Sequence, residues 1–178
     1  MTHSRRLVID ASIGMAAGGT DAQNNLSVCC RDVLLIVLDF RHRVTMSHEM
    51  LEEWHRHASR FSSTWLRQMI SRKRVHWIGE DDEYESLLRQ IRKLALLRSD
   101  LAPIEKDAHL PAAALRSDKA VLALDEEVRK CLAAVCSNMA LLREVVWVNP
   151  VRPTEKCADW LKKGAYSDEG RNLGIYIA

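Results

Sequence analysis

The stretch Arg5-Arg6-Leu7-Val8-Ile9-Asp10-Ala11-Ser12 limits the possible folds more than any other part of the chain. Leu7, Val8 and Ile9 form a short, uniformly apolar run rich in β-branched residues. That is the pattern of a strand covered on both faces, as in a parallel sheet between helices. The run stops at a carboxylate and a hydroxyl, and the glycine-rich segment 14–20 that follows reads as a loop. In open α/β sheets ligands sit just beyond the carboxyl ends of strands, so an acid placed there can meet a metal or a substrate while its strand stays buried.

Similar runs recur along the chain. Arg43 to Met46, Val75 to Ile78, Ala120 to Leu124 and Val145 to Val148 read as strands, the third of these four ending at Asp125. Helical spacing appears between them. Residues 22–39 carry Leu26, Cys30, Val33, Leu34 and Val37, with Thr20 or Asp21 as the cap. The run Val33 to Leu38 is also compatible with a strand. Ser47 offers a cap for one long helix reaching about residue 71. On it Trp54, Ala58, Phe61, Trp65 and Met69 form an aromatic stripe that reads as core or as an interface, while Arg56, Arg60, Arg67 and Arg74 lie opposite. The arginine stripe is either a solvated face or a track for a phosphate backbone.

Asp81 or Asp82 caps a helix with Tyr84, Leu87, Leu88, Ile91 and Leu94 on one side. After Pro103 a helix begins near Glu105 with Asp107 in its first turn, where the macrodipole favours a carboxylate. Pro111 fits this helix only in a first turn. A helix with Val128, Cys131, Leu132, Val135 and Met139 precedes the last strand, and Thr154 caps a short helix to Lys163 with Gly164 as its stop. Asp118, before the fourth strand, is expected to face solvent. Strands alternating with helices predict an α/β fold: three layers, α/β/α, around a central, mostly parallel sheet.

At 178 residues the chain can bury a core without staples. Its net charge of +2 is too small to argue for nucleic acid by itself. The longest apolar run, Val33 to Leu38, falls far short of the ~20 residues of a membrane span. No signal-type apolar run follows the basic N-terminus, so a cytoplasmic protein with no membrane partner is expected. The five cysteines include no Cys-x-x-Cys pair, which argues against a disulfide framework or a zinc knuckle. Cys30 and Cys131 fall on apolar stripes and read as small buried hydrophobes. There is no Gly-x-x-x-x-Gly-Lys phosphate loop. A phosphatase that begins with a strand-end Asp would place a second Asp where Ser12 stands.

Asp10 and Asp125 close strands that should lie in one sheet, so they project from the same edge. Asp107 lies shortly before the Asp125 strand, and Glu53 follows the second strand on a helix. Clustered acids are costly unless cations neutralise them, and hard divalent ions suit all-oxygen ligands. His55 and His57 diverge on a helix and make a poor metal pair. His109, two residues after Asp107, reads as packed or solvated, with substrate contact as the sharper alternative.

Four stretches carry a resemblance: Val8-Ile9-Asp10-Ala11-Ser12, Leu51-Glu52-Glu53-Trp54, Asp107-Ala108-His109-Leu110-Pro111-Ala112-Ala113-Ala114-Leu115 and Val121-Leu122-Ala123-Leu124-Asp125. Together they resemble the PIN-domain nucleases in order, spacing and context, over residues 7 to about 149. The resemblance implies a PIN-like domain over 1–153, with a short helix and tail over 154–178 packed on it. It implies a metal-dependent endoribonuclease, a Mg²⁺- or Mn²⁺-dependent hydrolase of single-stranded RNA. Asp10, Glu53, Asp107 and Asp125 would be the catalytic, metal-binding acids, with Glu52 the rival of Glu53. Ser12 would support the first acid or the substrate, and Arg56, Arg60 and Arg67 would join Ser12 in holding RNA. Toxin-type members of the family would imply an antitoxin protein as partner, and a homodimer is a further expectation. Ala123 stands where the family often has Thr or Ser, and Leu124 replaces a polar neighbour. These two departures keep a second reading open: a catalytically weak PIN-like domain that binds RNA or a protein.

Overall fold

The computed structural model describes residues 4–19, 21–167 and 169–176. Its five strands are β1 (Arg6–Ile9), β2 (Arg43–Met46), β3 (Val75–Trp77), β4 (Ala120–Leu122) and β5 (Val146–Val148). They form one sheet in the order β3-β2-β1-β4-β5, and every pairing is parallel. Leu7, Val8 and Ile9 are fully buried at its centre, as their uniform apolarity requires.

Helices α1 (Ala11–Ala16), α2 (Asn25–Asp39), α3 (His48–His57) and α4 (Arg60–Ser71) lie in the first half of the chain. Helices α5 (Asp82–Leu94), α6 (Pro103–Asp107), α7 (His109–Leu115), α8 (Glu126–Ala134) and α9 (Cys157–Lys162) follow. The chain steps from β1 to β2 to β3, then crosses back to β4 on the other side of β1. With right-handed crossovers this reversal places α1 to α4 on one face and α5 to α8 on the other, giving three layers, and α9 packs against α2 on the first face. The switch of direction lies between β1 and β4, the place where open α/β sheets form their ligand crevice.

Several local readings change. The glycine-rich segment is partly helical: Gly14 lies inside α1. A Cβ on Gly14 would come 2.9 Å from the Trp54 ring, so glycine is needed there for close approach. Helix α2 is capped by Asn24, whose side chain accepts from the Ser27 amide, and not by Asp21; Thr20 lies outside the described residues. The run Val33 to Leu38 is helix.

The single helix expected over 48–71 is two. α3 ends at His57, and Ser59 caps α4 by accepting from the Ser62 amide. The competing interaction is tertiary: the Ser59 amide donates to the Gly14 carbonyl at 3.1 Å, and the Ser59 hydroxyl donates to the Ala17 carbonyl at 2.6 Å. Those bonds serve the last turn of α1, whose carbonyls lack helical partners. The break folds the aromatic stripe on itself, and Trp54 and Trp65 stack with ring centroids 5.6 Å apart. Trp54 is buried, and its indole N–H donates to the Ile9 carbonyl at 3.1 Å.

Asp118 does not face solvent. Its carboxylate accepts from the Arg6 backbone amide at 2.7 Å and pairs with the Arg6 guanidinium at 2.6 Å. The expected cap Thr154 lies in a 3₁₀ turn, Pro153–Glu155, and α9 begins after Lys156 in the left-handed region; Gly164, at φ 105°, is the stop.

The segment after Pro153 packs on the sheet's flank. The His42 ring, buried, accepts from the Arg5 amide through Nδ1 at 3.1 Å, and its Nε2 donates to the Leu161 carbonyl at 2.9 Å. Glu155 pairs with the buried Arg129 at 2.5 Å, and the Tyr176 ring lies 4.2 Å from the Arg129 guanidinium carbon. No helix among the described residues is long and apolar enough to cross a membrane.

Trp54→Phe keeps most of the ring but leaves the buried Ile9 carbonyl without its donor. The loss should be about 1–3 kcal/mol, measured by denaturant unfolding. An unchanged midpoint would mean that the indole bond contributes nothing.

Candidate functional site

Asp10 follows β1 directly and its own amide still bonds to the Leu122 carbonyl at 2.9 Å. The residue is therefore anchored at the switch point while its side chain stays out of the helix cap of α1. The Ser12 hydroxyl donates to its carboxylate. Asp125 lies three residues beyond β4, since the ladder ends at Ala123, whose amide donates to Val148. It caps α8, its Oδ1 accepting from the Glu127 and Val128 amides at 2.8 and 3.0 Å.

Asp107 is at the end of α6 and not in the first turn of a helix. Pro111 explains the break. It has no N–H to give the carbonyl four residues back, which is that of Asp107. Helix α7 restarts at His109, with Pro111 in its first turn. The carboxylate therefore sits at a helix C-terminus, where the dipole disfavours negative charge.

Asp10, Ser12, Glu53, Asp107 and Asp125 line one cleft of about 200 Å³, together with Met15, His57 and Lys106. Glu52 points away, exposed, with His48 Nε2 3.3 Å from its carboxylate. Trp54 holds Glu53 in place, because the indole bond to Ile9 pins α3 beside the end of β1. His109 is almost fully buried, with Nε2 3.4 Å from Glu53 Oε2 and neither ring nitrogen in an aligned hydrogen bond. Proximity in sequence to Asp107 was the signal for His109; Lys106 gave none, because a lysine beside an acid is common on any surface.

Arg56, Arg60 and Arg67 do not line the cleft. The break at Ala58 puts Arg56 on α3 and the other two on α4, and all three are exposed. Arg67 donates to the Thr64 hydroxyl at 3.0 Å. No single arginine track runs along this side.

The electrostatics are those of crowded acids. Burial pushes Asp107 up to about 6, and the charges of Asp10 and Asp125 add to it against Lys106 and His109. Asp10 is also raised, by burial first, with the Ser12 bond opposing and Glu53 adding. Glu53 is held below the ordinary carboxylate range, chiefly by the His109 ring. Burial works against a charge on His109, but Glu53 outweighs it and the imidazole stands above its usual value. Among the described residues, no three His, Cys, Asp or Glu side chains already stand close enough together to hold a metal ion.

No known family model matches the chain, and no curated protein matches it.

The Asp107 shift fixes the sign of a pH effect. Its pKa is above the ordinary 3.8, so between about pH 4 and pH 6 the folded state holds a proton that the unfolded state releases. Stability from this group is greatest in acid and falls as pH rises through that window. In EDTA near neutral pH, Asp107→Asn should therefore be more stable than wild type by about 1 kcal/mol, after allowing for solvent screening of a partly exposed group. The difference should vanish near pH 4. Equal melts at neutral pH would show that ionising Asp107 in the cleft costs the fold nothing.

Proposed function

We propose that the chain is a metal-dependent endoribonuclease of the PIN type, cleaving phosphodiester bonds of single-stranded RNA in the cytoplasm. The observation that carries the reading is the convergence of Asp10, Glu53, Asp107 and Asp125, from four separated stretches, on one cleft at the switch point of a parallel sheet. Burial first, and the neighbouring carboxylates after it, raise Asp107 and Asp10, and a cation in the cleft would relieve both.

The donor set fits Mg²⁺ or Mn²⁺. The four acids offer only oxygen, the donor that hard divalent ions prefer. Asp10, Glu53, Asp107 and Asp125 would hold the ions. Bound there, they would neutralise the cluster, activate water and stabilise the leaving oxygen. The protein's own part is positioning. Ser12 fixes one oxygen of Asp10, His109 keeps Glu53 ionised and aimed, and Lys106 and His57 at the rim meet the phosphate. A small antitoxin-type protein over the cleft and a homodimer belong to this proposal as partners.

One observation favours the second reading, a catalytically weak RNA-binding or protein-interaction module. The cap of α8 already engages Asp125 Oδ1 through two amides, and Ala123 and Leu124 bring no polar group to support that acid.

Wild-type protein should cut single-stranded RNA with Mn²⁺ or Mg²⁺ and stop in EDTA. Asp10→Asn and Asp125→Asn should each lose about 100-fold or more, while Glu52→Gln keeps its activity. Millimolar Mn²⁺ should raise the melting temperature of wild type but not of Asp10→Asn. Activity retained in both Asp→Asn variants would remove these acids from the chemistry. A wild type that binds RNA and never cuts would move the assignment to the second reading.

A further inference from the structure

The end of the sheet away from the cleft carries the opposite charge. Arg6 and Arg43 are register partners on neighbouring parallel strands, and Val44 pairs with Val75, so Arg74 stands one position before in the same row. Neighbouring strands are about 4.8 Å apart, so three guanidinium-bearing residues span about 10 Å across β1, β2 and the start of β3. The turns that feed β2 and β3 add Arg41, Arg72 and Lys73, all exposed.

Three observations set this row apart from an ordinary solvated edge. Like charges at neighbouring positions of a sheet repel, and Arg43 stands between two other arginines. Arg41 and Lys73 occupy the left-handed region, at φ 64° and 55°, where glycine or asparagine would fit with less strain. Neutralisation is also incomplete. Asp118 pairs with Arg6, but among the described residues no ion pair involves Arg41, Arg43, Arg72 or Lys73. Arg74 donates to the Leu38 carbonyl at 2.5 Å and so holds the two turns side by side. The acid nearest in the chain, Asp39, sits at the exposed end of α2.

We propose that this basic edge is a docking surface for the phosphate backbone of a single-stranded nucleic acid, separate from the carboxylate cleft. Arg41, Arg43, Arg72 and Lys73 present exposed cations on two turns held side by side, a file that complements a file of phosphates, and arginine is the side chain whose geometry suits phosphate best. The cleft, lined by four acids, repels the same backbone unless cations fill it. The edge therefore holds the strand without any metal. This surface does not depend on the nuclease reading, because it asks for binding and not for cleavage.

The test is anisotropy with a labelled oligouridine of about 20 nucleotides in EDTA, over a series of salt concentrations. The variant Arg41→Asn, Arg43→Thr, Arg72→Gln, Lys73→Asn uses residues suited to each backbone position. It should melt no lower than wild type, bind about tenfold more weakly and lose roughly 0.7 from the log–log salt slope for each phosphate contact removed. Glu52→Gln, exposed and away from the cleft, should bind as wild type does. If the fourfold variant fails to fold, Arg43→Glu alone carries the test with the same readout. Unchanged affinity and slope would overturn the proposal. So would tighter binding by Asp10→Asn, which takes a repelling charge out of the cleft and would put the strand there, or equal competition by polyglutamate, which would make the edge a surface for acidic proteins. A wild type that binds in EDTA and still never cleaves once Mn²⁺ or Mg²⁺ is supplied would sink the nuclease reading and leave this one standing.

Discussion

The indole of Trp54 ties together the parts on which the rest of the structure depends. Its N–H meets the carbonyl of Ile9, the last residue of the central strand. Its ring lies against Gly14 of α1 and stacks on Trp65 of α4. Strand β1, three helices and two acids of the cleft are thereby set relative to one another by one buried side chain. The bond is worth little as an isolated hydrogen bond in water, but in a dry core its absence leaves an orphan carbonyl. Glu53 precedes Trp54 and Asp10 follows Ile9, so the distance between two carboxylates is governed by apolar packing one residue away.

Opposed charges at the two ends of the sheet are the other organising feature. At the carboxyl edge four acids line a cleft, and at the amino edge arginines stand in register across neighbouring strands. Both arrangements crowd like charges, although Asp125 also caps α8 and Arg6 and Arg74 also bond within the fold. Each is carried by a core of Leu, Val, Ile, Trp and Ala side chains that is fully closed around β1, β4 and β5. Sites of function are where local rules are expected to be broken and offset elsewhere. In this chain the offsets are visible: Ser12 on Asp10, His109 on Glu53, Asp118 on Arg6 and the amides of α8 on Asp125.

Alternation of apolar runs with helical spacing made the parallel sheet and its strands legible, because burial on both faces leaves a strand no polar positions. Asp10, Glu53, Asp107 and Asp125 could be marked from the sequence by their places at strand and helix ends. The helix break at Ala58 could not. Nothing local disfavours helix there, and the break exists because Ser59 and Ser62 satisfy carbonyls of α1, some 45 residues earlier in the chain. That break also dissolved the arginine stripe, which depended on a continuous 3.6-residue period.

What the sequence by itself determined is periodic: the strands, most helices and the acids that end them, since burial and hydrogen bonding act through spacing along the chain. What only the tertiary structure decided is relational. Strand order put Asp10 beside Asp125 and Arg6 beside Arg43, and packing chose Glu53 over Glu52 and buried His109 against it. The missing amide of Pro111 turned Asp107 from a helix start into a helix end. Electrostatic coupling falls with distance in space, and distance in space is the one quantity that a residue's place in the chain does not supply.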